Sequence, residues 1–463
     1  MRCLFFILFL SALSISHAQQ KTTLEEGFMS PPDSIRTGTF WYWISDNISK
    51  EGAIADLHAM KKAGINLAFI GNIGPSYHSS SNHPYGKVKF MSEEWWQVMH
   101  AALKTATELD IEIGIFNSPG WSQSGGPWVK PEQSMRYLAS SELVVRGPKK
   151  ISEKIPAPAH DFQDVKVLAF KARRDNLFDR GSVSFSSNIK GFVDYQYALP
   201  AGAESHITLT LPQAETVRGI LIHPAYYLHT QCLLQVRDGN EYKTIKEFPA
   251  SRDATIDPQR GFDQLAPIVE SLPETTGSQF RLVFKNTKEN SIISSITLTT
   301  APVVHRYPAK TFAKPENSTA APASFPDPSL FVAPEQVSDI SAHLAADGTL
   351  NWDVPEGDWV ILRTGMTPTG VKNSPAPPQA TGLETDKLSK EHIHAHFDAF
   401  LGEIHKRIPE ADRKCWKYTV LDSYEKGGQN ITDNFLELFK LHYGYDPTPF
   451  LPTYYGYPVG SYE

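Results

Sequence analysis

Carboxylates, carboxamides and tryptophans cluster in four short stretches of this sequence. Trp43 has Asp46 close behind it, and Asn117-Ser118-Pro119-Gly120-Trp121-Ser122-Gln123-Ser124-Gly125-Gly126-Pro127-Trp128 sets an amide ahead of two tryptophans. Gly382-Leu383-Glu384-Thr385-Asp386 and Asp422-Ser423-Tyr424-Glu425 supply the carboxylates. Indole and phenol faces stack on the apolar faces of sugar rings, while carboxylates and amides bond hydroxyls. Two carboxyls across a scissile bond are what glycoside hydrolysis requires. No Ser-His-Asp order and no phosphate-cradling glycine loop offers a rival chemistry.

Such groups need elements to hold them. Phe40–Ile44, Ile65–Ile70 and Ile111–Phe116 read as apolar strands, separated by helices that Ser49 and Ser92 cap. Unbroken apolar strands alternating with helices predict a parallel sheet covered on its faces. From about residue 140 to 300, period-two runs such as Ile207–Leu211, Phe280–Phe284 and Ile296–Thr299, divided by turn residues, predict a β-sandwich. Residues 313–337 are rich in Pro, Ala and Ser and read as a connection. The first texture then returns. Trp359–Arg363 and Tyr418–Leu421 read as strands, Ser389 caps one helix, and a second runs through Phe435 and Phe439 to Gly444. The expected fold is therefore α/β: about five strands of a partial (β/α)8 TIM-type barrel with a β-sandwich inserted. The expected domains are 19–140 and 351–463 for the barrel, 141–312 for the sandwich and 313–350 for the connection. Each chemical stretch follows a strand, where α/β barrels place their active sites.

The chain has 463 residues and a formal charge of −7, with 41% hydrophobic and 11% aromatic residues. That composition supports a sizeable core and excludes global disorder, and the mildly acidic balance argues against nucleic acid as partner. Met1-Arg2-Cys3, the apolar run Leu4–Ile15 and Ser16-His17-Ala18 read as a cleaved export signal over 1–18, which predicts a secreted or periplasmic protein without a membrane span. Cys232 and Cys415 lie in different expected domains, so free buried thiols are expected rather than a bridge.

Phe40-Trp41-Tyr42-Trp43, the Asn117–Trp128 stretch, Pro131–Met135, Gly382–Ser389 and Leu421–Glu425 resemble the motifs of glycoside hydrolase family 106, the α-L-rhamnosidases. The similarity runs from about Gly27 to the last residue and includes Arg260-Gly261-Phe262-Asp263. It implies a (β/α)8 catalytic barrel with added β-domains, and inverting, calcium-assisted hydrolysis of α-L-rhamnosides in plant-type polysaccharides such as pectin. It further implies that Glu425 is one of the catalytic pair, the general acid, which partial burial among aromatics such as Tyr424 would keep protonated. Family members continue past this length and carry the second carboxylate on a later strand. An inverting pair stands roughly 6.5–9.5 Å apart, and nothing between Lys426 and Glu463 reads as that base. The chain is thus expected to be an amino-terminal portion of such an enzyme.

Each residue also has a plainer reading. Glu425 could cap a helix or pair with Lys426. Trp43, Trp121, Trp128 and Tyr424 could line a sugar subsite or simply pack, and Asn117 could bond a hydroxyl or close the turn before Pro119. Glu384, Asp386 and Asp422 are oxygen donors suited to calcium, yet carboxylates in salt bridges are commoner. His392, His394 and His396 lack a third-ligand pattern and read as a solvated helix face. Asn47, Asn317 and Asn430 head glycosylation sequons. The sandwich is similar to galactose-binding-type modules, as scaffold or as sugar binder. Besides the hydrolase, the same tryptophans and sandwich allow a non-catalytic carbohydrate-binding or vestigial protein.

Overall fold

Alternation of bulky side chains decides where the first four parallel elements place their faces. A computed structural model describes residues 24–32, 35–75, 84–172, 175–193, 196–253, 261–314, 326–422 and 424–461. The export signal, Arg260, Asn317 and Ser423 lie outside the described residues. After α1 (Leu24–Met29) come β1 (Gly38–Ile44), α2 (Lys50–Lys62), β2 (Leu67–Ile73), α3 (Glu93–Leu109) and β3 (Glu112–Phe116). Both expected caps are present: Ser49 Oγ accepts from the Gly52 amide and Ser92 Oγ from the Trp95 amide. In β1, Trp41 and Trp43 face the helices, while Phe40, Tyr42 and Ile44 face the opposite side. The outward set joins Ile70, Ile113 and Ile115 with Leu57, Trp95, Met99 and Leu103 in one core. Truncating any fully buried member, such as Leu57 to Ala, costs about 2–5 kcal/mol.

Two antiparallel sheets follow. β4 (Arg136–Lys154) and β5 (Gln163–Phe170) precede β6 (Ser182–Phe185), β7 (Lys190–Val193), β8 (Gln196–Leu199), β9 (Ser205–Pro224), β10 (Tyr227–Asp238), β11 (Glu241–Asp253), β12 (Ile268–Lys285) and β13 (Ser291–Thr299). Strands β6 to β13 form one eight-stranded sheet. The long strands β9 and β12 break register between Ser271 and Thr275 and again between Gly277 and Gln279. Both halves of β9, through Leu209 and Ile220, face one core with Phe248, Phe280 and Leu298, so the sheet folds over on itself. Free Cys232 lies buried in this core, and free Cys415 in the first one.

After α4 (Tyr307–Lys310), β14 (Ser338–Asp339) and β15 (Thr349–Pro368) pair with β5 and β4 in the order β14-β5-β15-β4. Residues 136–170 thus hydrogen-bond to 338–368 instead of to the eight-stranded sheet, and the segment 141–312 is shared between two sheets. Trp359–Arg363, expected among the parallel strands, belongs to antiparallel β15. Its apolar run is unbroken because β15 is central and buried on both faces, Ile361 in one core and Val360 and Leu362 in another. A doubly buried antiparallel strand has the same pattern as a parallel one.

The chain then returns to the first sheet through α5 (Lys390–Phe397), a π-turn at Asp398–Gly402, α6 (Glu403–Arg407), β16 (Trp416–Val420) and α7 (Phe435–Tyr443). Order β1-β2-β3-β16, parallel throughout, makes a half-barrel of four strands among the described residues, one fewer than expected. Its inner face is aromatic and open: Phe40 is 59% exposed and touches Tyr42, Phe69 and Phe116. No helix among the described residues is long and apolar enough to cross a membrane.

Candidate active site

All four parallel strands end on the same side, and three deliver polar loops there. From β1, Tyr42 points inward, its ring 6.3 Å from that of Trp121 in the loop after β3. Burial, and then the charge of Asp422 beyond β16, hold the Tyr42 phenol above its ordinary pKa. The loop after β3 is built by its own amides. Asn117 donates from Nδ2 to the Gln123 carbonyl at 2.7 Å, and Gln123 Nε2 donates to the Asp422 carbonyl at 3.1 Å. The Trp121 amide donates to the Ser374 carbonyl, Ser122 Oγ accepts from the Ser374 amide, and Lys426 Nζ donates to Ser374 Oγ. Gly120, at φ +82 against the Ser374 backbone, has no room for a side chain. These bonds bring Tyr42, Trp121 and Asp422 to one mouth, where Trp121 is 38% exposed; Tyr424, 46% exposed, and Glu425, also exposed, follow Asp422 in the chain.

Behind the mouth lies a buried ionic network. Glu384 Oε2 accepts from Lys387 Nζ at 2.8 Å and from Ser124 Oγ at 2.9 Å. Lys387 Nζ also sits 5.0 Å from the centre of the Tyr424 ring, and burial followed by the Glu384 charge raises the Tyr424 phenol. Asp386 accepts from Arg136 Nη2 (3.0 Å), Thr432 Oγ1 (2.7 Å), Gln429 Nε2 (2.7 Å) and the Leu388 amide (2.9 Å). Arg136 Nη1 continues to Asp433 at 2.8 Å, whose other oxygen meets His392 Nε2 at 2.7 Å. Calcium binding would need carboxylates free of cations, but Glu384 and Asp386 are already compensated by Lys387 and Arg136. Among the described residues no three acidic, His or Cys side chains converge for a metal. With those cations in place Glu384 and Asp386 do not fit a calcium centre, and no chemistry below is routed through one.

The family model for α-L-rhamnosidase, glycoside hydrolase family 106, matches residues 29–463. The chain belongs to that family. It also superposes on a rhamnosidase from Novosphingobium sp. PP1Y with a TM-score of 0.74 and 26% identity, over 95% of this chain and 43% of that one. A curated putative beta-glucuronidase of Formosa agariphila is 27% identical over 463 residues, which is 99% of this chain and 28% of that protein. A putative alpha-L-fucosidase from Bacteroides thetaiotaomicron aligns over only 27% of the chain at a TM-score of 0.21, too low to carry an argument. The chain thus spans less than half the length of the rhamnosidase and of the curated relative.

Within this family 106 chain the residues singled out from sequence have different fates. Trp43 does not reach the mouth: it is buried against Trp41 and Trp95 on the helix side of β1. Strand alternation assigns the inward position to Tyr42 instead, and that period was readable in Phe40–Ile44. Trp128 stacks on Phe400 and donates from Nε1 to His396 Nδ1 at 3.0 Å, so it packs rather than offering a platform. Asn117 closes its loop. Glu425 lies five positions past the end of β16 and is exposed, without the burial expected around a general acid. Lys426 is buried and turned to Ser374.

The histidines of α5 are not a solvated face. His392 bonds Asp433, and His396 is 1% exposed. With Nδ1 accepting from Trp128, His396 Nε2 donates to the Asn117 carbonyl at 3.0 Å, so the ring is neutral and joins α5 to the β3 loop. Only His394 faces solvent. Burial pushes the His396 imidazole down to about 4 from an ordinary 6.5. The unfolded chain therefore binds its proton first, and stability contributed by the neutral ring is full above pH 6.5 and falls as pH drops toward 4. The loss amounts to about 3 kcal/mol at most. Urea midpoints across that window should be flatter for His396→Asn than for the unmodified protein; equal slopes would refute this origin.

Proposed function

We propose that this protein acts on α-L-rhamnosides, and that the half-barrel described above is the amino-terminal part of a (β/α)8 barrel with a galactose-binding-like module inserted. The Asp422–Glu425 segment directly after the last parallel strand, at the end shared with Tyr42 and Trp121, is the observation that carries this reading. The rhamnose ring lies on the Tyr42 and Trp121 faces, and Glu425 protonates the leaving oxygen. Water attacks the anomeric carbon from the opposite face, deprotonated by a second carboxylate, so the configuration inverts. That base comes from strands that add to the open β1 and β16 edges and cover Phe40, Ile44 and Tyr418, which are 59%, 52% and 44% exposed. The same covering supplies the burial that Glu425 lacks. Export by the amino-terminal signal places the protein where polysaccharide is met.

Following hydrolysis of a methyl α-L-rhamnoside by proton NMR, with the strands that bring the base in place, tests this reading. The β anomer of free L-rhamnose should appear first, before mutarotation. First release of the α anomer would remove the inverting mechanism, and absence of both rhamnose release and rhamnoside binding would remove the reading altogether. The exposed position of Glu425 favours a second reading, non-catalytic carbohydrate binding at the same mouth, which retained affinity without turnover would support.

A further inference from the structure

A large aromatic side chain reaches the loop after β16 from the segment that follows the eight-stranded sheet. Phe312, just past α4, is 51% exposed and holds φ +62, in the left-handed region that bulky residues rarely enter. The backbone on either side of it is fixed. The Thr311 carbonyl accepts from Asn430 Nδ2 at 2.8 Å, and the Ala313 carbonyl accepts from the Asp263 amide at 2.9 Å. Asn430 Oδ1 in turn accepts from the Leu138 amide at 2.8 Å, which ties this segment to β4 as well as to the loop after β16.

Phe312 lies on the same loop that carries Glu425. A Cβ at Gly428 would stand 3.0 Å from Phe312 Cβ and 3.1 Å from its Cγ, so glycine lets the phenyl group settle close to that backbone. Gly428 comes three residues after Glu425, and Asp422 three residues before it. At the Asp422 end the loop meets Trp121 and Tyr42: Gln123 donates to the Asp422 carbonyl, and the Asp422 charge acts on the Tyr42 phenol. At the Gly428 end it meets Phe312. Three residues span at most about 11 Å, a gap that a sugar joined to rhamnose can bridge. A strained, half-exposed phenylalanine adds little to packing. Such strain persists at ligand clamps where surrounding bonds enforce it, as those to Thr311 and Ala313 do here.

We propose that Phe312 is the platform for the sugar on the leaving-group side of the scissile bond, and that it selects rhamnosides whose leaving group has a ring face to lay on it. The inference rests on the reading of Glu425 as the acid. An acid that protonates the glycosidic oxygen stands between the two groups which that oxygen joins. With the rhamnose ring on Tyr42 and Trp121 at one end of the loop, the leaving sugar extends towards the other end, where Phe312 is. The apolar face of a pyranose covers the exposed phenyl face without needing a charge.

Calorimetric titration of the intact protein with a thio-linked rhamnosyl-glucose disaccharide, which resists cleavage, and with methyl α-L-rhamnoside tests the platform. The disaccharide should bind about five- to tenfold tighter, the worth of ~50 Å² of apolar surface taken from water. Phe312→Gly should lose that preference and leave methyl rhamnoside affinity unchanged. Because glycine is unstrained at φ +62, the same variant should hold or raise the urea midpoint. Phe312→Trp should keep the preference. A preference unchanged in Phe312→Gly, or lost as fully in Phe312→Trp, would overturn the assignment, and an unchanged preference with a lowered midpoint would make Phe312 a packing residue. Equal weakening of both ligands in Phe312→Gly would overturn it too, since the side chain would then be supporting the mouth as a whole. If the unmodified protein binds methyl rhamnoside but shows no preference, only the platform falls. If it binds neither ligand, the rhamnosidase reading falls and takes the platform with it.

Discussion

With the strands that bring the second carboxylate in place, Glu425→Gln is expected to slow hydrolysis of an alkyl α-L-rhamnoside by about 10²–10⁴-fold, the range of a positioned acid. The same substitution should be far milder on a 4-nitrophenyl rhamnoside, because an activated phenolate departs without being protonated. That contrast separates the acid from the base: removing a base would slow attack by water on both substrates alike. Steady-state kcat/KM for the two substrates, in the unmodified protein and the variant, reads the difference directly. Equal losses on both would move Glu425 from acid to base, and no loss on either would take it out of the chemistry. Isosteric glutamine keeps the shape of an exposed side chain, so a folding defect does not confuse the outcome.

Local signals carried much of the architecture. Ser49, Ser92 and Ser389 each cap the helix expected of them, and Gly444, at φ +80, ends α7. These are short-range effects, in which a hydroxyl meets an amide three residues on or a left-handed residue stops a helix. What failed was long-range. Nothing in Trp359–Arg363 distinguishes a strand buried by two antiparallel cores from one buried in a parallel sheet. The partners of β4, some two hundred residues away in β15, leave no local trace.

The candidate site divides along the same line. Motif order put polar loops at the ends of the parallel strands, but the types of residue alone overrated Trp43 and Trp128, whose rings pack into or against the core. They underrated Tyr42, which alternation turns inward. The histidines were misjudged because helical spacing shows which share a face, and the Asn117 loop and Asp433 that cover that face come from distant sequence. Glu384 and Asp386 looked like metal ligands for the same reason: their compensating cations, Lys387 and Arg136, become apparent only after folding. Arg136 is 250 residues from Asp386.

Arg136→Met should be among the most damaging single substitutions in the described chain. Arg136 is 1% and Asp386 0% exposed, so removing the guanidinium leaves a carboxylate with neither water nor counter-charge. Thr432, Gln429 and the Leu388 amide still donate to it, but three neutral donors do not replace the charge. The expected cost is about 3–5 kcal/mol, a large part of the stability of an ordinary domain. Asp386→Asn in the same background removes the stranded charge, and the double variant should recover a substantial share of the loss. Asp386→Asn alone should cost less than Arg136→Met, because Arg136 retains Asp433, whose side chain is 42% exposed and can share its charge with water. Urea midpoints of the four proteins, followed by tryptophan fluorescence and circular dichroism, give the coupling. Additive losses would mean that the pair is not the unit described. Coupling would extend to function, since Asp386 holds Gln429 and Thr432 beyond β16, while Lys387, next in the chain, sits against Tyr424. The single variant should therefore weaken rhamnoside binding even at temperatures where it remains folded, and the double variant should regain it together with its stability.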